Sequence, residues 1–494
     1  MLNIAFGMIV FEGDYVLREC LESVYPYAKQ ILISEGPVKY WQDRGKTTSS
    51  DATNKILESF PDPDNKIKIV HGQFEEKDDQ CKAYLKFIDD DIDYIWNLDS
   101  DEVYKSSDIE KIIKILEEEK YTSVGVKSCS FYGGFDRVIG GFEEKTDNFL
   151  RIFKFYKGAT WLTHRPPTIQ PPPGTAELPK KHLDSDTLYE KHGVQMYHYS
   201  YVFPSQVYNK IQYYKAKVSR DNCIDNYFEN VFLRWMNSKN DEDKFYVESQ
   251  YLGVHEFKPH VRGESFTKQF FGSHPPSIQK SLQSMNHRIE NELKFHNDNL
   301  NLCWLNKESY SKMLDGARGL IFPKLLDSDH VGILNQLLVA SNPQSLVDLG
   351  CCSAEASLLA KNYKYTGADL PDVIKNVSKV MHPEINYVEF DAYNSDFEFL
   401  QNYDVVLMNA FIDVLEKGDI VFNKVLKNAK KVILHRQKIA EKTYCEIEDS
   451  YGAKSYRFYF GKSDFDKILK KHNFIVSHYF QWTNSSFSFL LVKQ

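Results

Sequence analysis

Residues 93–104 read DYIWNLDSDEVY, a mainly apolar run that stops abruptly at Asp99, Ser100, Asp101 and Glu102. Such a run without polar alternation predicts a strand buried on both faces. Its acidic end then lies where open α/β sheets bind their ligands. Working back to the N-terminus, IAFGMIVF (4–11), QILIS (30–34) and KIKIVHG (66–72) read as further strands. Helix-like segments separate them: Tyr15 to Tyr27, with Val16, Leu17, Cys20, Leu21 and Val24 on one face, then SSDATNKILESF (49–60), then Asp78 to Ile88. The pattern is β-α-β-α-β-α-β, a parallel sheet covered on both faces.

Beyond it, helices are expected at Asp108 to Glu119 and Pro204 to Val218, and strands at 123–132, 148–155 and 193–202. The Pro-rich HRPPTIQPPPG (164–174) is too stiff and donor-poor for a sheet interior and is expected to wall a cleft. Residues 222–296 mix aromatic helical patches with HEFKPHVRGESF and carry no clear pattern. After Trp304 a second alternation begins: a helix through ILNQLLVA, SLVDLG (345–350), a helix from Ala354 to Asn362, then 363–370, 385–392, 403–410 and 430–437 as strands. The closing NFIVSHYF and SFSFLLVK are separated only by QWTNS, which predicts a hairpin with an antiparallel strand. The fold class is therefore α/β, with two doubly wound domains: 1–300 (core 1–210, helical and aromatic tail 211–300) and 301–494.

Composition sets bounds. The chain has 494 residues, 42% hydrophobic and 26% charged, an ordinary globular make-up that predicts about two to four domains. A formal charge of -8, from 61 Lys and Arg against 69 Asp and Glu, argues against nucleic acid as the main partner. No stretch approaches the roughly 20 apolar residues of a transmembrane helix, and the N-terminus lacks a signal-peptide pattern, so the expected location is cytoplasmic. Eight scattered cysteines without a Cys-Xaa-Xaa-Cys pair fit a reducing compartment. Aromatic residues make up 14%, serving packing or sugar stacking equally well.

Two aspartates flanking one residue at a strand end can share a divalent cation with phosphate oxygens. A bare Asp-Xaa-Asp more often opens a solvated turn. Here the order of MIVFEGDYVLRECLESVYPYAKQILISEG, SSDATNKIL, HGQFEEKDDQCKAYL and LDSDE resembles the family-2, GT-A-type glycosyltransferases over about residues 1 to 210. The resemblance implies transfer of a sugar from a nucleotide diphosphate donor with Mn²⁺ or Mg²⁺. It implies Asp99 and Asp101 as the metal and diphosphate motif, His198 as a further metal ligand, Glu35 near the nucleoside base and Lys82 facing the diphosphate. His198 could equally be a hydrogen-bonded core residue. Two departures stand out: FEGD replaces an Asn-Glu pair after the first strand, and WLTHR (161–165) has no carboxylate after its His. An inverting transfer needs a base for the acceptor hydroxyl, and Asp136, Asp147 and His164 are alternative candidates.

SLVDLGCCSAEA places Asp348 near a strand end and Gly350 in the following turn. It resembles the first motif of class I S-adenosylmethionine-dependent methyltransferases, with Cys352 and Ala354 at the later glycine positions. The resemblance spans about residues 310 to 494 and implies S-adenosylmethionine as cofactor. Asp369 would meet the ribose hydroxyls and Asp391 the adenine amine, with Asn409 in the fourth motif. A dinucleotide-binding dehydrogenase is the competing reading of the same carboxylate, and the missing glycines count against it. His435-Arg436 after the fifth strand is either an acceptor-orienting pair or a satisfied strand end. Together the two halves imply a bifunctional enzyme that adds a sugar to a glycan acceptor and O-methylates the product. The rival is a glycosyltransferase or glycan-binding protein with an inactive methyltransferase-like scaffold.

Overall fold

The structure, a computed structural model, describes residues 2–146, 148–175, 180–217, 226–250, 265–300, 302–303, 307–316, 324–450 and 453–494. The base candidate Asp147 lies outside the described residues. The chain divides into two compact units, Met1–Lys294 and Phe295–Gln494.

In the first unit, β1 (Ile4–Val10), β2 (Gln30–Glu35), β3 (Ile67–His71) and β4 (Tyr94–Asp99) pair in parallel in the order β3-β2-β1-β4. The central strands are buried at nearly every position, as their apolar runs require. Helix Leu17–Val24 buries Leu17, Cys20, Leu21 and Val24, the spacing of a single helical face. Helix Lys77–Leu85 starts at a capping box formed by Glu76 and Asp79 and ends earlier than its sequence pattern suggests.

After β4 the sheet changes direction. The two-residue β5 (Glu102–Val103) precedes helix Ser106–Glu119, β6 (Ser123–Tyr132), β7 (Arg137–Gly141) and β8 (Asn148–Lys154). β8 is antiparallel to both β4 and β6. β9 (Thr160–Thr163) and β10 (Thr168–Gln170) form a two-stranded ribbon, so part of the Pro-rich loop is a strand, though not a sheet-interior one. β11 (His182–Leu183) and β12 (Met196–Tyr201) both pair with β6, and β12 also pairs antiparallel with β5, which sets His198 opposite Glu102. The unpatterned stretch contributes helix Asp241–Ser249, β13 (Ser265–Gln269) beside β7, and helix Pro276–Leu300. Ile278, Met285 and Ile289 of that helix join the core of the first unit.

The second unit holds β14 (Ser345–Leu349), β15 (Lys364–Asp369), β16 (Asn386–Glu389), β17 (Val405–Asn409) and β18 (Lys431–Ala440), parallel in the order β16-β15-β14-β17-β18. β19 (Tyr444–Ser450) and β20 (Ala453–Gly461) form an antiparallel pair at the far end of β18, an insertion the sequence pattern did not announce. β21 (Phe474–Gln481) and β22 (Ser486–Lys493) make the expected hairpin, with β22 antiparallel to β18. Helix Val331–Ser341 buries Leu334, Leu337 and Leu338. The helix expected over Ala354 to Asn362 is only a 3-10 turn, Glu355–Leu358, entered from Ala354 in left-handed backbone. Among the described residues no helix is long and apolar enough to cross a membrane.

Candidate active site and cofactor loop

In the first unit a cleft of about 200 Å³ opens over the carboxyl ends of β1, β2 and β4. Its walls include Glu12, Trp41, Lys77, Asp99, Asp101, His164, Arg165, His198, Lys210 and Tyr213. The strand ends create it: parallel strands expose their last residues together, and Gly36 lets the chain turn away at once. A Cβ there, at φ +143°, would lie 1.8 Å from the Gly72 carbonyl oxygen.

Asp99 Oδ2 accepts from Arg151 Nη2 and Arg165 Nη2, each at 2.9 Å. Arg151, 1% exposed, also grips Glu102. Burial would raise the Asp99 pKa, but the two guanidiniums override it and hold the carboxyl well below its usual range. Asp101 faces a different set: His198 Nε2 is 3.5 Å from Oδ1, Lys210 Nζ 3.8 Å from Oδ2 and Gln206 Nε2 3.4 Å from Oδ2. Here too burial opposes ionisation, and His198 and Lys210 reverse it and hold the carboxyl low. Glu102 goes the other way, because burial and the neighbouring aspartates outweigh Arg151. Register explains the meeting of Asp101 and His198: Tyr199 N donates to the Asp101 carbonyl at 2.9 Å, carrying β12 past the turn.

Other residues suggested by the sequence are placed differently. Glu35 is fully buried and does not line the cleft; it accepts from Ser49 N at 2.9 Å and lies 3.0 Å from His71 Nδ1. Besides Asp99 and Asp101, Glu12 lines the cleft, and its Oε1 accepts from Ser50 N at 3.1 Å and Lys46 Nζ at 3.0 Å. Lys82 is exposed and paired with Asp79 at 3.4 Å, while Lys77 reaches the cleft. Five residues on a helix amount to roughly 140° of rotation, so the two lysines cannot share a face. Asp136 is exposed in the β6–β7 turn, away from the cleft. His164 lines the cleft, with burial pushing its imidazole down to about 3, and its Nδ1 lies 3.6 Å from Cys81 Sγ. Sequence reasoning missed Arg151, Arg165, Lys77 and Lys210. The signal for Arg165 was present: it stands in WLTHR, where a carboxylate was expected.

In kind, the Asp101, His198 and Asp99 donors suit a divalent cation. His198 Nδ1 is buried without a hydrogen-bond partner, so the ring's polar contact is made through Nε2 toward Asp101. Asp99 would have to turn from its guanidiniums to join them. Among the described residues no group of three or more His, Cys, Asp or Glu is already gathered for a metal.

The second unit carries the loop after β14. Gly350 has φ +67°, and a Cβ there would lie 2.4 Å from Phe411 Cδ2. Cys352 and Ala354 also adopt left-handed φ, 51° and 59°, so the turn survives where glycine is absent. Asp369 Oδ2 accepts from Cys352 N and Oδ1 from Leu370 N, both at 2.8 Å, and burial lifts its pKa to about 6. Asp348, buried, accepts from the Tyr365 hydroxyl at 2.6 Å, leaves Oδ1 unpartnered, and is pushed by burial to about 7. Asp391 caps its own turn, accepting from Tyr393 N at 2.9 Å and Asn394 Nδ2 at 2.8 Å. Asn409 Oδ1 accepts from Arg436 Nε at 3.2 Å. A left-handed loop with a carboxylate at the next strand end fits an adenosyl cofactor in kind.

Residues 47–166 match the family model Glycosyl transferase family 2. No curated protein matches the chain. Among solved structures, an amino pentose methyltransferase from Micromonospora echinaspora aligns at 9% identity, over 38% of this chain and 96% of that one, with TM-score 0.27. The glycopeptide N-methyltransferase MtfA aligns at 10% identity, over 34% and 92%, with TM-score 0.26. The N-terminal domain of EvdMO1 aligns at 11% identity, over 34% and 84%, with TM-score 0.27. The fold of the second unit rests on its own strand order rather than on these likenesses. One chain thus joins a unit whose residues 47–166 match the family 2 glycosyltransferase model to a second unit with a Rossmann-like, mainly parallel α/β sheet.

Proposed function

We propose that the first unit transfers a sugar, with inversion, from a nucleotide diphosphate donor to a glycan acceptor, and that the second O-methylates the product from S-adenosylmethionine. The observation that carries the first half is the cleft itself: two aspartates and an imidazole at a strand end, ringed by Lys77, Arg165 and Lys210. Asp101 and His198 would hold Mn²⁺ or Mg²⁺, and Asp99 would join on exchanging Arg165. The bound cation would supply charge neutralisation of the departing diphosphate. Arg165, Lys77 and Lys210 would receive diphosphate oxygens, each charge-assisted bond contributing about 1.5–3 kcal/mol. Trp41, with Phe11 at 5.8 Å between ring centroids, offers an aromatic wall for the nucleoside base beside Glu12. Of the base candidates, His164 is supported by its place on the cleft.

For the second unit, the left-handed loop after β14 and Asp369 support adenosyl binding, with Asp369 toward the ribose and Asp391 toward the adenine. Asn409 and Asp348 would hold the strand ends in place around it. The rival, an inactive scaffold, draws on Cys352 and Ala354, whose side chains narrow the loop. A thermal-shift panel of UDP, GDP, CDP and dTDP with Mn²⁺, run beside S-adenosylhomocysteine on the full-length protein, tests both halves. One nucleoside diphosphate and S-adenosylhomocysteine should each raise a melting transition. Absence of the first shift contradicts the transferase reading, and absence of the second favours the scaffold.

A further inference from the structure

The counter-charges of Asp99 and Asp101 differ in how firmly they are held. Arg151 is 1% exposed and shared between Asp99 and Glu102. Lys210 Nζ, 3.8 Å from Asp101 Oδ2, also donates to the Ser200 carbonyl at 3.3 Å and to the Ser200 hydroxyl. Arg165 is held by less. Its side chain is 49% exposed, lines the cleft, and among the described residues has Asp99 Oδ2, at 2.9 Å, as its one hydrogen-bond partner. The backbone beside it is fixed, since His164 N donates to Asp78 Oδ1 at 2.6 Å and the buried Trp161 packs on Phe153 with ring centroids 5.8 Å apart. The Arg165 side chain can therefore swing while its loop stays in place, and exposed side chains change rotamer fast.

Arg151 and Arg165 both bond Oδ2, which leaves Asp99 Oδ1 without a hydrogen-bond partner among the described residues. Even at Oδ1, Arg165 opposes a divalent cation by like charge, because the two oxygens of one carboxylate are close and Coulomb repulsion falls only with the inverse of distance. Asp99 in turn keeps Arg165 from an anion in the cleft. Burial would raise the Tyr214 phenol, but Lys77, Arg165 and Lys210 override it and hold the group below its usual range, so the three cations gather round one part of the cleft. A diphosphate among them offers the Arg165 guanidinium a second charge-assisted partner of the planar, two-oxygen kind it already has.

We propose that Arg165 couples the two ligands of this cleft, cation and donor diphosphate; this rests on the transferase reading above. Without donor, Arg165 neutralises Asp99. With donor and cation together it passes to the diphosphate, and Asp99 is released toward the cation. Each ligand thereby relieves the other of a like charge, so each raises the other's affinity by the same factor. Such couplings commonly run from about 5-fold to about 150-fold. Cation and diphosphate also attract each other directly, so the share owed to Arg165 shows in the cation's affinity when no nucleotide is present.

Full-length protein is compared with Arg165→Gln and Arg165→Lys. Calorimetry with UDP, GDP, CDP and dTDP in a fixed excess of Mn²⁺ comes first: no binding of any of the four by the unsubstituted protein overturns the transferase reading and this proposal with it. Given binding, Mn²⁺ alone is titrated, with the free ion followed by electron paramagnetic resonance. Arg165→Gln removes the competing charge and should bind Mn²⁺ without nucleotide about tenfold more tightly, while its affinity for the nucleoside diphosphate in excess Mn²⁺ should fall about tenfold. A Mn²⁺ affinity unchanged within about twofold shows that Arg165 does not oppose the cation, and an unchanged nucleotide affinity shows a fixed counter-ion of Asp99. Either result overturns the proposal and leaves the transferase reading standing. Arg165→Lys keeps the charge and should bind Mn²⁺ alone within about threefold of the unsubstituted protein. Tightening equal to that of Arg165→Gln shows that charge is not what competes, and overturns the proposal as well.

Discussion

Replacing Asp348 by Asn should make the second unit more stable at alkaline pH and not at acid pH. The carboxyl is buried, bonded on one oxygen to Tyr365 and unpartnered on the other, and its pKa is pushed up to about 7. Against an unfolded value of about 3.9, a rise of roughly three units at about 1.4 kcal/mol each means that ionised Asp348 costs the folded state about 4 kcal/mol. The sign follows from the raised folded pKa: the favourable contribution is complete below the unfolded value and is lost as pH rises through about 7. Asn keeps an oxygen for the Tyr365 hydroxyl but buries an amide N–H₂ where Oδ1 has no partner, which takes back about 1–3 kcal/mol. The net gain is about 1–3 kcal/mol near pH 8 and none near pH 5. Urea unfolding of the full chain at both pH values, followed by hydrogen exchange in peptides covering β14 and β15, reads the second unit specifically. Equal effects at the two pH values would refute the reasoning, and so would a loss that grows with pH.

Gly350→Ala should lower the stability of the same unit by about 2–5 kcal/mol, the sum of left-handed strain and overpacking against Phe411, read as a drop in its melting transition. Ala354→Gly should do the opposite, adding up to about 1 kcal/mol by relieving a left-handed alanine, measured by the same melt. Arg151→Met leaves Asp99 and Glu102 buried without their shared guanidinium and should cost about 3–5 kcal/mol, seen in urea unfolding of the first unit. Asp369→Ala should weaken S-adenosylhomocysteine binding about tenfold to a few hundredfold by calorimetry.

Both sheets were legible because their central strands are apolar throughout and their helices keep one apolar face, so two periodicities sufficed to separate them. The positions of Asp99 and Asp369 at strand ends, and of Asp101 just past one, were legible for the same reason, since the end of an apolar run marks where a strand stops. What failed depended on contacts distant in sequence. Glu35 has the right residue type at the right strand end, yet the Ser49 amide and His71 occupy its carboxylate, and nothing local announces that. Lys82 lost to Lys77 because the start of the helix sets which face the cleft sees. Arg151 reads as one polar position in an alternating strand; only the antiparallel pairing of β8 with β4 puts it against Asp99. The β19–β20 pair was missed because it lies outside the alternation of strands and helices: β20 joins the sheet only through a three-residue parallel contact at the end of β18, and β19 pairs with β20 alone.

The measurement closest to the central claim is release of nucleoside diphosphate from a panel of nucleotide sugars by the full-length protein, with Mn²⁺, with chelator, and with Asp101→Asn. Turnover of at least one donor is expected in Mn²⁺, lost on chelation and mostly lost in Asp101→Asn, while that variant keeps the wild-type melting transition of the second unit. Turnover that continues unchanged in chelator and in Asp101→Asn would contradict it.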